Sequence, residues 1–310
     1  MSLVDSAIVR FLPAVPKPLV RRISSRYIAG EDLDAALRVV RRLNDDGKLA
    51  TIDVLGEEIT SPGEARAIAS AYRESLKAFE RGKLDSNVSV KPTALGLKLG
   101  YDLCRENLDN IVHDAAELGN FVRIDMEDSS TTDDTVRLYR ELRTAGFDNV
   151  GIAFQARLKR TLQDIRDLAE LRPNVRLCKG IYLEGPEIAY RDFDSIRASF
   201  VQALEELLAS GCYVGIATHD EWLVEQGQRL CNARGLGREE YEFQMLLGVR
   251  PSMGDELVRG GHRLRIYTPF GRHWYAYSLR RLQENPKIAG YIAADTVGRL
   301  IPGHNGSSRA

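Results

Sequence analysis

Near the C-terminus, Tyr277-Ser-Leu-Arg280-Arg281-Leu-Gln-Glu284-Asn carries the densest local pattern for holding an anion. On a helix, Tyr277, Arg280, Arg281 and Glu284 fall on one side through i+3 and i+4 spacing. Adjacent arginines point about 100° apart, so their guanidinium groups can flank a single anion. Glu284 can pair with Arg280 one turn back and hold it in place. The planar guanidinium fork suits a carboxylate or phosphate. A solvated charged helix face gives the same pattern, so the surroundings must decide.

Other reactive side chains stand at the ends of short apolar runs. They are Lys91, the Asp125-Met126-Glu127-Asp128 stretch, Gln155, Arg176 with Lys179, Thr218-His219-Asp220, Gln244 and Tyr267. Asp125 lies between apolar neighbours, where an unpaired carboxylate is costly, so a cation must face it. Lys91 and Arg176 are the candidates. Taken singly, Lys91 also reads as a surface lysine and His219 as a satisfied core histidine. The Cys178 thiol reads as inert packing.

These residues need a frame. From residue 50 onward, eight β-rich runs recur: Ala50–Leu55, Val88–Lys91, Phe121–Met126, Val150–Gln155, Val175–Ile181, Tyr213–His219, Tyr241–Leu246 and Leu264–Thr268. Amphipathic helical patterns separate them, with Ser61-Pro62 before Glu64 as a start signal and Gly146, Gly211 and Gly235 as stops. Strand–helix alternation implies parallel strands, and runs apolar at consecutive positions imply strands buried on both faces. The number and length of units predict an α/β fold, a (β/α)8 barrel spanning 50–300. Helical segments over 1–49 precede it and a flexible tail over 301–310 follows. An open doubly wound sheet is the alternative, but no G-x-G-x-x-G follows the first strand and no P-loop is present. In a barrel, strand-end residues gather at one face, where catalytic groups sit.

Composition limits the classes of function. The 310 residues are 44% hydrophobic and 28% charged, with 43 Lys and Arg against 44 Asp and Glu. A net charge of −1 argues against wholesale nucleic-acid binding. No run approaches the roughly 18 apolar residues of a spanning helix, and the N-terminus lacks a signal-peptide pattern. The four cysteines are widely spaced, as buried thiols of a reducing compartment would be, and no metal site is expected from them. A cytoplasmic location is expected. Residues 7–26 mix apolar and basic side chains and form a candidate peripheral contact with the inner face of the membrane.

Seven segments, in order over about 200 residues, resemble the proline dehydrogenase family. They are Val88-Ser-Val-Lys-Pro, Arg123-Ile-Asp-Met-Glu, Gly151-Ile-Ala-Phe-Gln-Ala, Arg176-Leu-Cys-Lys-Gly-Ile-Tyr, Ala217-Thr-His-Asp, Glu242-Phe-Gln-Met-Leu, and Tyr267-Thr-Pro-Phe-Gly through Tyr277 to Asn285. The resemblance is to the monofunctional bacterial form. It implies a distorted (β/α)8 barrel with the last helix over its mouth. Non-covalent FAD would sit at the strand ends, L-proline would be oxidised to 1-pyrroline-5-carboxylate, and a quinone would accept the electrons. By that resemblance Asp125 and Arg176 are catalytic, Arg176 lying beside flavin N5. Lys91, Arg280 and Arg281 bind the substrate carboxylate, and Tyr182, Leu246 and Tyr267 enclose the proline ring. Met126, Gln155, Lys179, Gly180, Ile181, Thr218, His219 and Gln244 contact the flavin. Two departures stand out. Arg157 replaces the aromatic residue that commonly follows Gln-Ala, and the stretch after Tyr182 gives no match to residues holding the outer part of the cofactor.

Three other readings compete. A lysine-dependent aldolase barrel would form a Schiff base on Lys91 or Lys179. A metal-dependent hydrolase would use Asp125, Glu127, His219 and Asp220, but it lacks a second strand-end histidine. A scaffold barrel would bind no flavin.

Overall fold

The computed structural model describes residues 26–56, 59–275, 277 and 278. Helix α1 (Leu33–Asp45) is the first helix among the described residues, its N-terminus capped by the Asp32 carboxylate, which accepts from Ala35 N at 2.8 Å. Then strands and helices alternate: β1 (Leu49–Val54), α2 (Pro62–Gly82), β2 (Ser86–Val90), α3 (Tyr101–Glu117), β3 (Val122–Ile124), α4 (Thr132–Thr144), β4 (Val150–Gln155), α5 (Thr161–Asp167), β5 (Val175–Cys178), α6 (Phe193–Ala209), β6 (Val214–Ala217), α7 (Glu221–Ala233), β7 (Tyr241–Leu246), α8 (Pro251–Arg259) and β8 (Leu264–Phe270). The eight strands form a closed, all-parallel barrel in sequence order. β1 pairs with β8 from Leu49–Arg265 to Val54–Phe270 and closes it.

Each of the eight apolar runs falls on one strand, and the α/β barrel is the observed fold. The Ser61 start signal is a full capping box. Glu64 N donates to Ser61 Oγ at 3.3 Å, and Ser61 N donates to Glu64 Oε2 at 3.1 Å, with Pro62 in the first turn. The fifth run is shorter than the sequence reading, ending at Cys178 rather than Ile181. Gly180 takes φ +94°, which turns the chain out of the sheet. Helical backbone is present at Trp274, Tyr275, Tyr277 and Ser278, where the expected helix over the barrel mouth begins; residues 279–310, with the expected tail, and the segment 1–25 lie outside the described residues.

Apolar packing concentrates between helices and strands. Tyr72, Leu76 and Phe79 of α2, Leu108 and Ile111 of α3, and Phe200 and Leu204 of α6 are fully or almost fully buried there. The barrel interior is different. Ser89 of β2 meets Arg176 of β5, and Arg176 meets Gln244 of β7, contacts between non-neighbouring strands that only a shared interior allows. Polar side chains therefore fill it, and each must find a partner. Gly215 on β6 makes room: a Cβ there would lie 2.4 Å from Gln244 Nε2.

Candidate active site at the barrel mouth

Asp125 follows directly on β3, its amide bonded to Val90 O at 2.9 Å. Its carboxylate takes three donors. Arg176 Nη1 makes a short ion pair with Oδ1, Ser89 Oγ donates to Oδ1 at 2.8 Å, and the Tyr267 hydroxyl donates to Oδ2 at 2.9 Å. Arg176 is fixed in turn by Ser89 Oγ at 2.8 Å and by Gln244 Oε1 at 2.5 Å. Below it, Gln244 Nε2 donates to Glu242 at 2.6 Å, and Arg265 pairs with both Glu242 oxygens at 2.7 and 3.0 Å. Five charged or amide groups thus form one connected chain, in which each buried group has a partner.

A second arm runs through Lys91. Its ammonium pairs with the fully buried carboxylate of Asp53 and lies 3.1 Å from the Tyr267 hydroxyl. Asp53 also accepts from the Tyr72 hydroxyl at 3.2 Å, and Tyr72 bonds Ser89 O at 2.8 Å. Burial works to lower the Lys91 pKa, but the carboxylates of Asp53 and Asp125 outweigh it, so the ammonium is held charged. Burial, with the same two carboxylates, pushes the Tyr267 hydroxyl well above its ordinary value. It remains a neutral donor.

Above this floor the cavity widens to about 1000 Å³. Gln155 Nε2 donates to Glu127 O at 2.6 Å and Met126 O at 3.3 Å, which fixes the amide with Oε1 opposite. That oxygen is buried and has no hydrogen-bond partner among the described residues. Gly180 packs against it so closely that a Cβ would lie 2.6 Å away. Leu246 N donates to His219 Nε2 at 2.9 Å, which assigns the ring proton to Nδ1. On the rim, Asp220 takes the Lys179 ammonium at 3.1 Å and a two-pronged pair from Arg197. Burial raises the Asp220 pKa, but the bonds from Arg197 and Lys179 prevail and bring it down to about 2. The Arg197 guanidinium stacks on Phe193 and Trp222, 4.1 and 5.0 Å from their ring centres.

The fourteen described residues to which the resemblance gives a site role all line this one cavity, whereas Asp128 and Tyr277 do not. They are Lys91, Asp125, Met126, Gln155, Arg176, Lys179, Gly180, Ile181, Tyr182, Thr218, His219, Gln244, Leu246 and Tyr267. Arg280 and Arg281 lie outside the described residues. The sequence reading missed Asp53, Ser89, Tyr72, Glu242 and Arg265. Asp53 carried a usable signal, a lone carboxylate inside an apolar strand. Cys178, expected as packing, lines the cavity instead, and burial pushes its thiol pKa up to about 11. Glu127 fastens a loop, accepting from Thr93 N and Oγ1 at 2.8 and 2.5 Å. Among the described residues, the only three-residue group with metal-ligand spacing is His113, Asp114 and Glu117, on α3, and Asp114 there is paired with Arg73. No described helix is long and apolar enough to cross a membrane.

Residues 36–293 match the family model described as proline dehydrogenase. "Proline dehydrogenase 1" of Bacillus subtilis subsp. natto is 36% identical over 267 residues, covering 86% of this chain and 88% of that protein. "Proline dehydrogenase" of Deinococcus radiodurans is 35% identical over 274 residues, covering 87% and 88%. Among solved structures, proline utilization A from Bdellovibrio bacteriovorus inactivated by N-propargylglycine matches with a TM-score of 0.80 at 24% identity, over 94% of this chain and 37% of that one. This last likeness bears on the fold. By the family match and the two bacterial relatives, the chain is an enzyme of the proline dehydrogenase family.

Proposed function

We propose that the cavity binds FAD non-covalently and oxidises L-proline to 1-pyrroline-5-carboxylate, with hydride passing from C5 to flavin N5 and the electrons going on to a quinone. The observation that carries this reading is the single cavity, with charged Lys91 and Arg176 at its floor and the unpartnered Gln155 oxygen on its wall. A flavin ring has N–H groups that such an oxygen can accept from, and burying the oxygen without a partner costs about 1–3 kcal/mol. Bound FAD supplies the two-electron acceptor. Met126, Gln155, Lys179 to Ile181, Thr218, His219 and Gln244 are the residues to hold it.

The chain's own part is to bind and orient. The carboxylate is the one strong handle on so small a substrate, and Lys91, held charged by Asp53, would take it together with Arg280 and Arg281. Tyr182, Leu246 and Tyr267 would close around the ring. Arg176 uses Nε and Nη1 within the protein, while its Nη2 makes no bond to the described residues. That leaves a fixed cation to favour negative charge developing on the acceptor. Asp125 accepts from three donors, Arg176, Ser89 and Tyr267. Its role is to aim Arg176.

The Schiff-base alternative needs a lysine that readily loses its proton. Lys91 is instead paired with a buried carboxylate, and Lys179 with Asp220. The test is an absorbance spectrum before and after anaerobic addition of L-proline. A flavin band that bleaches supports the proposal. A flavin band that proline leaves unchanged refutes the substrate, and a colourless protein that takes up no FAD refutes the cofactor.

A further inference from the structure

We infer that Arg157 is a positioning residue that sets the fit of the substrate ring by gripping the loop that carries Tyr182. The inference rests on the functional reading above, in which residues 180–182 face flavin and substrate. Beyond the end of β4 the chain stays parallel to the exit of β5. Ala156 N bonds Cys178 O at 2.7 Å and Arg157 N bonds Lys179 O at 2.9 Å. At Gly180 the second chain turns across the Arg157 stem, so closely that a Cβ would meet Cγ at 2.9 Å and Cδ at 3.0 Å. Past the turn, Arg157 Nη1 donates to Tyr182 O at 2.6 Å. One side chain is therefore the post around which residues 179–182 bend.

Apolar burial does little to hold this stretch. Leu183 is 95% exposed and Ile181 37% exposed. Hydrogen bonds do the holding, from the backbone where Lys159 N bonds Ile188 O at 3.0 Å and Tyr190 N bonds Arg157 O at 2.8 Å, and from side chains. Beyond Tyr182, the Glu184 carboxylate accepts from Ser129 N and Ser129 Oγ, both at 2.7 Å, and Lys159 Nζ donates to Pro186 O at 2.7 Å. Tyr182 lines the cavity and Arg157 does not, so Arg157 acts on the substrate only through the loop. The position is one where the resembling family segment carries an aromatic residue, and a ring there would lack the guanidinium's several donors.

The test uses the flavin-loaded full chain and three variants, Arg157→Ala, Arg157→Lys and Glu184→Ala. KM and kcat are measured for L-proline and for a ring-substituted proline, alongside trypsin cleavage of the 179–192 loop. A displaced contact of about 1 Å can cost up to about a hundredfold. The expected result for Arg157→Ala is an approximately tenfold rise in proline KM, a smaller change in kcat, reduced discrimination against the substituted ring and faster loop cleavage. Arg157→Lys keeps most of the fit, and Glu184→Ala, which releases the same loop at a second anchor, shifts KM in the same direction. Unchanged KM and discrimination in flavin-containing Arg157→Ala and Glu184→Ala overturn the inference. Wild-type protein whose flavin is absent, or is not reduced by proline, overturns the functional reading instead, and the substrate-fit claim with it.

Discussion

Asp125 and Arg176 are joined twice, once by their own ion pair and once through Ser89, whose hydroxyl donates to the carboxylate and accepts from the guanidinium. The pair is mostly buried, with side-chain exposures of 13% and 8%. Removing one partner of such a pair strands the other's charge. Arg176→Ala is expected to lower stability by about 3–5 kcal/mol. Arg176→Lys should lose less while still impairing flavin reduction. Urea unfolding and stopped-flow reduction separate the two effects, and wild-type stability in Arg176→Ala would contradict the first.

Gly180→Ala meets two obstacles at once, a φ of +94° and the Gln155 oxygen 2.6 Å from the new Cβ. Strain of that kind costs on the order of 1–3 kcal/mol. The variant should melt lower and carry less flavin per chain, measured by thermal melting and by absorbance after gel filtration. Full flavin content would show that the 180 turn does not shape the cofactor seat.

Gln155→Leu removes the unpartnered oxygen together with the donor that serves Glu127 O and Met126 O. Flavin retention should fall, with a stability loss of about 1–3 kcal/mol from the two stranded carbonyls. Equilibrium dialysis against FAD reads the retention directly.

Tyr267→Phe deletes the hydroxyl shared by Lys91 and Asp125. Each charge keeps another partner, Asp53 for Lys91 and Arg176 for Asp125, so the protein should stay folded. Substrate KM should rise and discrimination between ring-substituted prolines should weaken. A substrate panel is the check, and an unaltered ranking would remove Tyr267 from the ring enclosure.

Asp220 gives a pH dependence with a definite sign. Its pKa is held near 2, below its ordinary value of 3.8, so the folded state binds this proton less readily than the unfolded chain. The stabilisation is complete above about pH 4 and is lost as pH falls toward 2. Asp220→Asn should therefore lower the melting temperature at pH 6 more than at pH 3. An equal effect at both would detach the rim from the ion pairs with Arg197 and Lys179.

The barrel was readable because strands buried on both faces are apolar at consecutive positions, and polar residues then mark where each strand stops. That rule located Gln155, the last residue of β4; Arg176, Gln244 and Tyr267, expected at strand ends, stand inside β5, β7 and β8 instead. It failed at β5, where the run was carried to Ile181 because the apolar residue beyond Lys179-Gly180 disguised the turn at Gly180. The argument used for Asp125 applies equally to Asp53, but Lys91 lies 38 residues from it, and nothing local connects them. Ser89, Glu242 and Arg265 went unseen for another reason. A closed sheet of eight strands has an interior as well as a mouth, and a sequence does not say which polar residues on a strand point inward. Tyr72 comes from a helix, and its bond to Asp53 depends on how α2 packs.

The β1–β8 seam has a consequence for how the protein is made. Lys91 and Asp53 emerge early, yet the hydroxyl that links Lys91 to Asp125 belongs to Tyr267, on the last strand. During synthesis β1 has no β8 to pair with until nearly the whole chain exists, and contacts so distant in sequence form slowly. Until then the charged floor is incomplete and open to water. A nascent chain shorter than about residue 270 therefore lacks the seam, and cofactor capture should begin only after β8 is free to close it.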